Sequence, residues 1–153
     1  MNLIIDVGNS FVKMAVFQAD ELIEKVTVSP EDFEINFDQL LEKHHKVTKC
    51  IVSSVGLLSK MQLENIKKRL DVLLLSANIL LPFTNLYKTP NTLGVDRMAL
   101  VSAAVKNYPN KNVLIIDAGT CITYDFISDS NQYLGGAISP GIRLRYTSLN
   151  NLT

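Results

Sequence analysis

Apolar residues at the start of the chain fall into three short runs, Leu3-Ile4-Ile5, Phe11 to Phe17 and Leu22 to Val28, separated by Gly8-Asn9 and by the polar stretch Gln18 to Glu21. Runs of this length bounded by turn formers predict three strands in a β-meander. The period then changes. Phe33, Phe37, Leu40 and Leu41 recur at helical spacing, Cys50 to Ser54 reads as extended, Leu63, Ile66 and Leu70 mark a second helix, and Val72 to Leu75 forms a further strand. Strands that alternate with helices predict a mixed, partly parallel sheet. Ser76 to Leu93 carries two prolines and no clear period, which predicts a long exposed connection or a substrate loop rather than a packed element. A helix from about Gly94 to Lys106, a turn at Asn107 to Asn112 and a strand from Val113 to Ile116 follow.

At that last strand the chain repeats itself. Leu3-Ile4-Ile5-Asp6-Val7-Gly8-Asn9-Ser10 and Leu114-Ile115-Ile116-Asp117-Ala118-Gly119-Thr120-Cys121 share one plan: an apolar strand, an Asp at its end, a small hinge with Gly, then a second strand. Such a turn suits a nucleotide phosphate tail, because Gly lets backbone N–H groups approach the oxygens and Ser or Thr adds a donor. An Asp beside phosphate needs a bridging cation, and Mg²⁺ takes few carboxylates and keeps several waters, so Asp6 and Asp117 are cation candidates. Either copy alone would also suit an ordinary hairpin turn; two copies ending equivalent strands favour the phosphate role. Lys13 sits where it could reach a phosphate from the sheet, or lie solvated on the polar face of the hairpin. Gly135-Gly136 and Ser139-Pro140-Gly141 form another constellation, with Pro140 expected to open a helix whose N-terminal amides would face an anion.

Composition narrows the partners. The 153 residues are 47% hydrophobic and 20% charged, the balance of a folded globular chain. Fifteen Lys plus Arg against fifteen Asp plus Glu leave no positive field to gather nucleic acid or an anionic membrane. The N-terminus enters its first strand without a basic lead, and no apolar stretch reaches membrane-spanning length, so a cytoplasmic protein is expected. Cys50 and Cys121 lie beside β-branched residues without metal-ligand spacing and read as buried reduced thiols. His44 and His45 are adjacent near the end of a charged helix and read as solvated.

Four segments carry a resemblance. Asp6-Val7-Gly8-Asn9-Ser10, Tyr87 to Arg97, Asp117-Ala118-Gly119-Thr120-Cys121-Ile122-Thr123-Tyr124-Asp125 and Gly135-Gly136-Ala137-Ile138-Ser139-Pro140-Gly141 resemble, in order and spacing, the type III pantothenate kinases of the acetate and sugar kinase, Hsp70 and actin superfamily. The resemblance implies an α/β fold of tandem ribonuclease H-like (actin-like ATPase) domains, each with a mixed sheet and flanking helices. The first would span residues 1–110 and the second, incomplete, residues 111–153. Their two phosphate turns would hold ATP in the cleft between them.

By the same resemblance Asp96 is the general base. Asp6, Val7, Gly8, Asn9, Ser10, Phe11, Val12 and Lys13 contact ATP, as does Thr120. Tyr87, Gly94, Val95, Asp96 and Arg97 contact pantothenate, Asp117 holds a monovalent cation, K⁺ or NH₄⁺, and Asp6 is a possible ligand of the Mg²⁺ that accompanies ATP. A homodimer is implied as well. The chemistry agrees, since a hydroxyl attacking a γ-phosphoryl group needs a nearby carboxylate to take its proton, and Arg97 can pair with the carboxylate of an acidic substrate. Asp96 would also suit the first turn of any helix, where the dipole favours a carboxylate.

Ser10 stands where the family usually has Thr, and Val95 and Cys121 where Ala is common. Family members continue through further strands and helices, so the second domain is expected to leave apolar faces uncovered. Two other readings remain open: a nucleotide-binding regulatory relative or inactive fragment, and a different small-molecule kinase of the superfamily.

Overall fold

A computed structural model describes residues 1–8, 10–54 and 58–152, apart from the side chain of residue 152. The chain divides into two compact units, Met1–Ser76 and Ala77–Thr153.

In the first unit, strands β1 (Asn2–Val7), β2 (Val12–Gln18) and β3 (Glu21–Val28) form the expected meander. Helix α1 (Phe33–Lys43), strand β4 (Lys49–Ser54), helix α2 (Lys60–Arg69) and strand β5 (Asp71–Leu74) follow. The sheet order is β3-β2-β1-β4-β5. The first three strands pair antiparallel, and β4 and β5 add parallel to β1. Alternation decides which face is core: Leu3, Ile5 and Val7 of β1, Val12, Met14 and Val16 of β2, and Cys50 and Val52 of β4 are buried with Phe33, Phe37 and Leu40 of α1 and Ile66 of α2. The opposite face of β1 carries Asp6. Helix α2 starts on a capping box in which the Ser59 hydroxyl accepts the Gln62 N–H (3.1 Å) and the Gln62 side chain accepts the Ser59 N–H (3.0 Å). Arg69, at its other end, pairs with Asp38 of α1 and lies over the Phe37 ring at 5.1 Å, tying the two helices together.

His44 is not solvated as expected. Its Nε2 lies 2.6 Å from Glu24 of β3, which also takes the Lys43 ammonium at 2.9 Å. The helix end projects residue 44 back toward the sheet edge, a tertiary contact that local spacing does not encode.

In the second unit, strand β6 (Thr84–Asn85), a single 3-10 turn (Pro90–Thr92) and helix α3 (Val95–Asn107) precede the hairpin strands β7 (Val113–Ala118), β8 (Cys121–Ile127) and β9 (Gln132–Pro140), and helix α4 (Ile142–Leu152) closes it. The sheet order is β6-β9-β8-β7, with β6 parallel to β9 and the rest antiparallel. Helix α3 packs on one face, where Met98, Val101 and Ala104 join Phe83, Leu93, Ile127 and Tyr133 in one buried cluster. On strand β7 the other face leaves Leu114 and Ile116 exposed, as does Leu134 on β9.

Further expectations need correcting. The segment before α3 is packed: Phe83 and Leu93 are buried, and the Thr84 and Leu86 N–H groups donate to the carbonyls of Asn131 and Tyr133, both at 2.9 Å. Two residues of pairing are too short for a periodic signal. That segment and α3 bury their apolar faces against the second sheet, and the second compact unit accordingly starts at Ala77. Pro140 ends β9 instead of opening a helix, and α4 starts beyond Gly141. Cys50 is buried, which pushes its thiol up to about 12, whereas Cys121 is exposed because it starts β8 at the turn.

Candidate active site

The first turn joins β1 to β2. Asp6 and Lys13 are opposite one another across these strands, so their side chains share a face, and Lys13 Nζ lies 3.6 Å from Asp6 Oδ2 with both partly exposed. The Gly8 N–H closes the turn on the Phe11 carbonyl (3.1 Å). Ser10 and Phe11 are exposed, while Val7 and Val12 point their side chains into the core and offer only backbone to a ligand. Asn9 lies outside the described residues. On the other side of Asp6, Ser53 of β4 is its register partner, and the buried Ser53 hydroxyl has no hydrogen-bond partner among the described residues.

The second turn joins β7 to β8 and is one residue tighter: the Gly119 N–H donates to the Cys121 carbonyl at 2.9 Å. Asp117 is exposed and opposite Thr123, whose Oγ1 is likewise buried and unpartnered among the described residues. The backbone of Gly141 runs directly over this turn, and its N–H donates to the Thr120 carbonyl (2.9 Å). A Cβ at Gly141 would sit 2.2 Å from the Gly119 oxygen and 2.5 Å from the Thr120 oxygen, so only glycine fits. The same residue's carbonyl accepts the Arg145 N–H at 3.0 Å, which places the start of α4 against the Gly119-Thr120 turn. The β7–β8 turn and the N-terminus of α4 therefore meet at Gly119 and Thr120, and a helix N-terminus favours an anion.

The third group lies at the start of α3. Gly94 is the N-cap and Asp96 stands in the first turn, exposed, with its Oδ1 accepting the Arg97 N–H at 2.9 Å. A Cβ on Gly94 would come within 2.4 Å of Asp96 Oδ1, so the glycine leaves the carboxylate its room. Arg97 does not reach outward for a substrate carboxylate as expected. It is only 4% exposed, with its Nε at 3.0 and 3.2 Å from the two oxygens of Asp125 and its Nη2 at 2.6 Å from Asp125 Oδ1.

Asp125 is fully buried in the middle of β8, and Tyr133 of β9 completes the cluster. The Tyr133 hydroxyl donates to Asp125 Oδ1 at 2.6 Å and lies 3.1 Å from Arg97 Nη2. Burial and then the hydrogen bond to Asp125 push the Tyr133 hydroxyl well above the usual tyrosine range. Burial works against the Arg97 cation, but the hydrogen bond to Asp125 and its charge outweigh this and raise the guanidinium further. The Tyr87 ring lies over the Arg97 guanidinium at 5.7 Å and stacks on Tyr133 at 6.1 Å. Gly135, at φ +108°, makes room for it: a Cβ there would meet the Tyr87 ring at 3.1 Å.

The family model for type III pantothenate kinase matches residues 2–153. The chain belongs to that family. A type III pantothenate kinase from Christiangramia forsetii is 54% identical over the whole of this chain. Among solved structures, a Campylobacter jejuni protein assigned to the Baf family of transcriptional activators is 27% identical, with a TM-score of 0.59 over 99% of this chain and 60% of its own. A Sinorhizobium meliloti protein assigned as a 2-dehydro-3-deoxygalactonokinase shares the fold alone, at 13% identity and TM-score 0.51, over 90% of this chain and 54% of its own. The chain spans 63% of the length of its C. forsetii relative.

A type III pantothenate kinase calls for ATP with a divalent metal, and the residues present suit such a cation. Among the described residues no group of three or more His, Cys, Asp or Glu converges, so there is no all-protein cage. Instead Asp6 and Asp117 each stand beside a strand neighbour whose buried hydroxyl has no hydrogen-bond partner among the described residues. One carboxylate and a hydroxyl, completed by phosphate and water oxygens, suit a hard cation. Sequence reasoning gave no role to Asp125 or Tyr133. The signal was present in Ile122-Thr123-Tyr124-Asp125-Phe126-Ile127, where a carboxylate in the centre of an apolar strand demands a buried cationic partner.

Proposed function

We propose that the full-length protein transfers the γ-phosphoryl group of ATP to the primary hydroxyl of pantothenate, the step that opens coenzyme A synthesis. The observation that carries this reading is the exposed Asp96 carboxylate, held by the Arg97 N–H and given room by Gly94, in a chain matched over residues 2–153 by the pantothenate kinase family model. Asp96 accepts the pantothenate hydroxyl proton, while Tyr87 and the Gly94–Val95 backbone line the pantothenate side. Asp6 to Lys13 and Thr120 contact ATP. Asp6 would hold the divalent ion, which would neutralise charge on the phosphates when bound, and Asp117 would hold a monovalent cation, K⁺ or NH₄⁺. Arg97 contributes from behind Asp96 rather than as a substrate contact. The enzyme acts as a homodimer in the cytoplasm; no helix of the described residues is long and apolar enough to cross a membrane.

General-base assistance contributes about 10²- to 10⁴-fold. Asp96→Asn in the full-length enzyme, followed by steady-state kinetics and ligand-binding titration, should therefore lose turnover by that order while still binding ATP and pantothenate. Near-normal turnover would remove Asp96 from the chemistry. The likeness to the C. jejuni Baf-family protein favours a second reading, a nucleotide-binding regulatory relative. That reading is supported if the full-length protein binds ATP and never phosphorylates pantothenate.

A further inference from the structure

We infer that Asp125 and Tyr133 are positioning residues for the Asp96 carboxylate, acting through Arg97; this rests on the reading of Asp96 as general base. The peptide between residues 96 and 97 is the link. Its N–H donates to Asp96 Oδ1, so the orientation of residue 97 sets where the carboxylate lies. Helix α3 begins on Gly94 with no side-chain cap, which leaves its first turn without the usual local anchor. The anchor comes from the sheet instead. The Arg97 guanidinium is gripped by Asp125 through Nε and Nη2, and Tyr133 bridges both groups.

A planar fork on a carboxylate fixes direction as well as distance, whereas the apolar contacts of Met98 and Val101 further along α3 tolerate sliding. Tyr87, stacked on Tyr133 and over Arg97, ties the segment before α3 to the same clamp. A buried ion pair adds little net stability over an apolar cluster of the same volume. Geometric control of residue 96 gives this cluster a function that packing alone does not.

Tyr133→Phe in the full-length enzyme removes the hydroxyl bridge and keeps the ring against Phe83 and Tyr87. Displacements on the order of 1 Å near a reacting group cost about 10²-fold, so kcat for pantothenate phosphorylation should fall roughly 10- to 10²-fold with the KM for ATP unchanged. In an Asp96→Asn background, single-turnover rates should show no further loss on adding Tyr133→Phe. A role confined to fold stability predicts instead the same fold-loss in both backgrounds, and that result overturns the proposal, as does a wild-type kcat for Tyr133→Phe. Arg97→Lys, which keeps the charge and loses the fork, is the second variant, with the same expected dependence on Asp96. If Asp96→Asn itself keeps near-normal turnover, the general-base reading has failed. If Asp96→Asn is slow and both clamp variants turn over normally, only the clamp has failed.

Discussion

Truncating Arg97 to alanine should unfold the second unit more readily than any other single truncation at the candidate site. Asp125 is fully buried, and its carboxylate is neutralised by a guanidinium that is itself only 4% exposed. Removing the arginine leaves a buried carboxylate held by the hydrogen bond from the Tyr133 hydroxyl. Breaking a buried pair by deleting one partner costs about 3–5 kcal/mol, because the surviving charge must be desolvated or protonated. For a chain of this size that corresponds to a fall in Tm of roughly 6–20 °C. Urea unfolding of the full-length protein followed by tyrosine fluorescence reads the change directly. The double variant Arg97→Met with Asp125→Leu, which removes both charges, should recover most of the loss. An Arg97→Ala protein within about 1 kcal/mol of wild type, with a raised KM for pantothenate as its main defect, would show that Arg97 belongs to the substrate and not to Asp125.

Gly141→Ala should impair ATP use strongly, since a Cβ there meets the Gly119 and Thr120 carbonyls at 2.2 and 2.5 Å; normal ATP kinetics in this variant would detach α4 from the second turn. Glu24 is held below its ordinary value of 4.5 by hydrogen bonds from His44 and Lys43. Its contribution to stability is therefore present above about pH 4.5 and is lost as the pH falls through the depressed value. Glu24→Gln should flatten that part of the acid-unfolding curve, and an unchanged curve would refute the assignment. Iodoacetamide should label Cys121 and spare Cys50, whose thiol is buried and raised to about 12; equal labelling of the native protein would contradict the packing described.

The first unit was legible because its elements obey single periods: Phe33, Phe37 and Leu40 for a helix, Leu3, Ile5 and Val7 for a half-buried strand. The duplicated Asp-x-Gly turns were legible as well, though not the tighter closure of the second copy, which depends on the Gly119 to Cys121 hydrogen bond. What escaped was set by contacts distant in sequence. β6 is defined by two residues of pairing with β9, and α3 by which sheet its apolar face covers. Pro140 carried a helix-start signal that antiparallel pairing with Cys121 overrode. Arg97 beside Asp96 looked like a substrate group because its partner lies on β8, and nothing local to residue 97 announces that partner.

The family fold seen here is proposed to serve pantothenate phosphorylation. Incubating the full-length protein with Mg·ATP, K⁺ and pantothenate, and following products by mass spectrometry, tests it most directly. Equimolar ADP and phosphopantothenate should form, abolished by leaving out pantothenate and cut at least about 10²-fold by Asp96→Asn. ATP binding by a folded protein that leaves pantothenate unconsumed would contradict it.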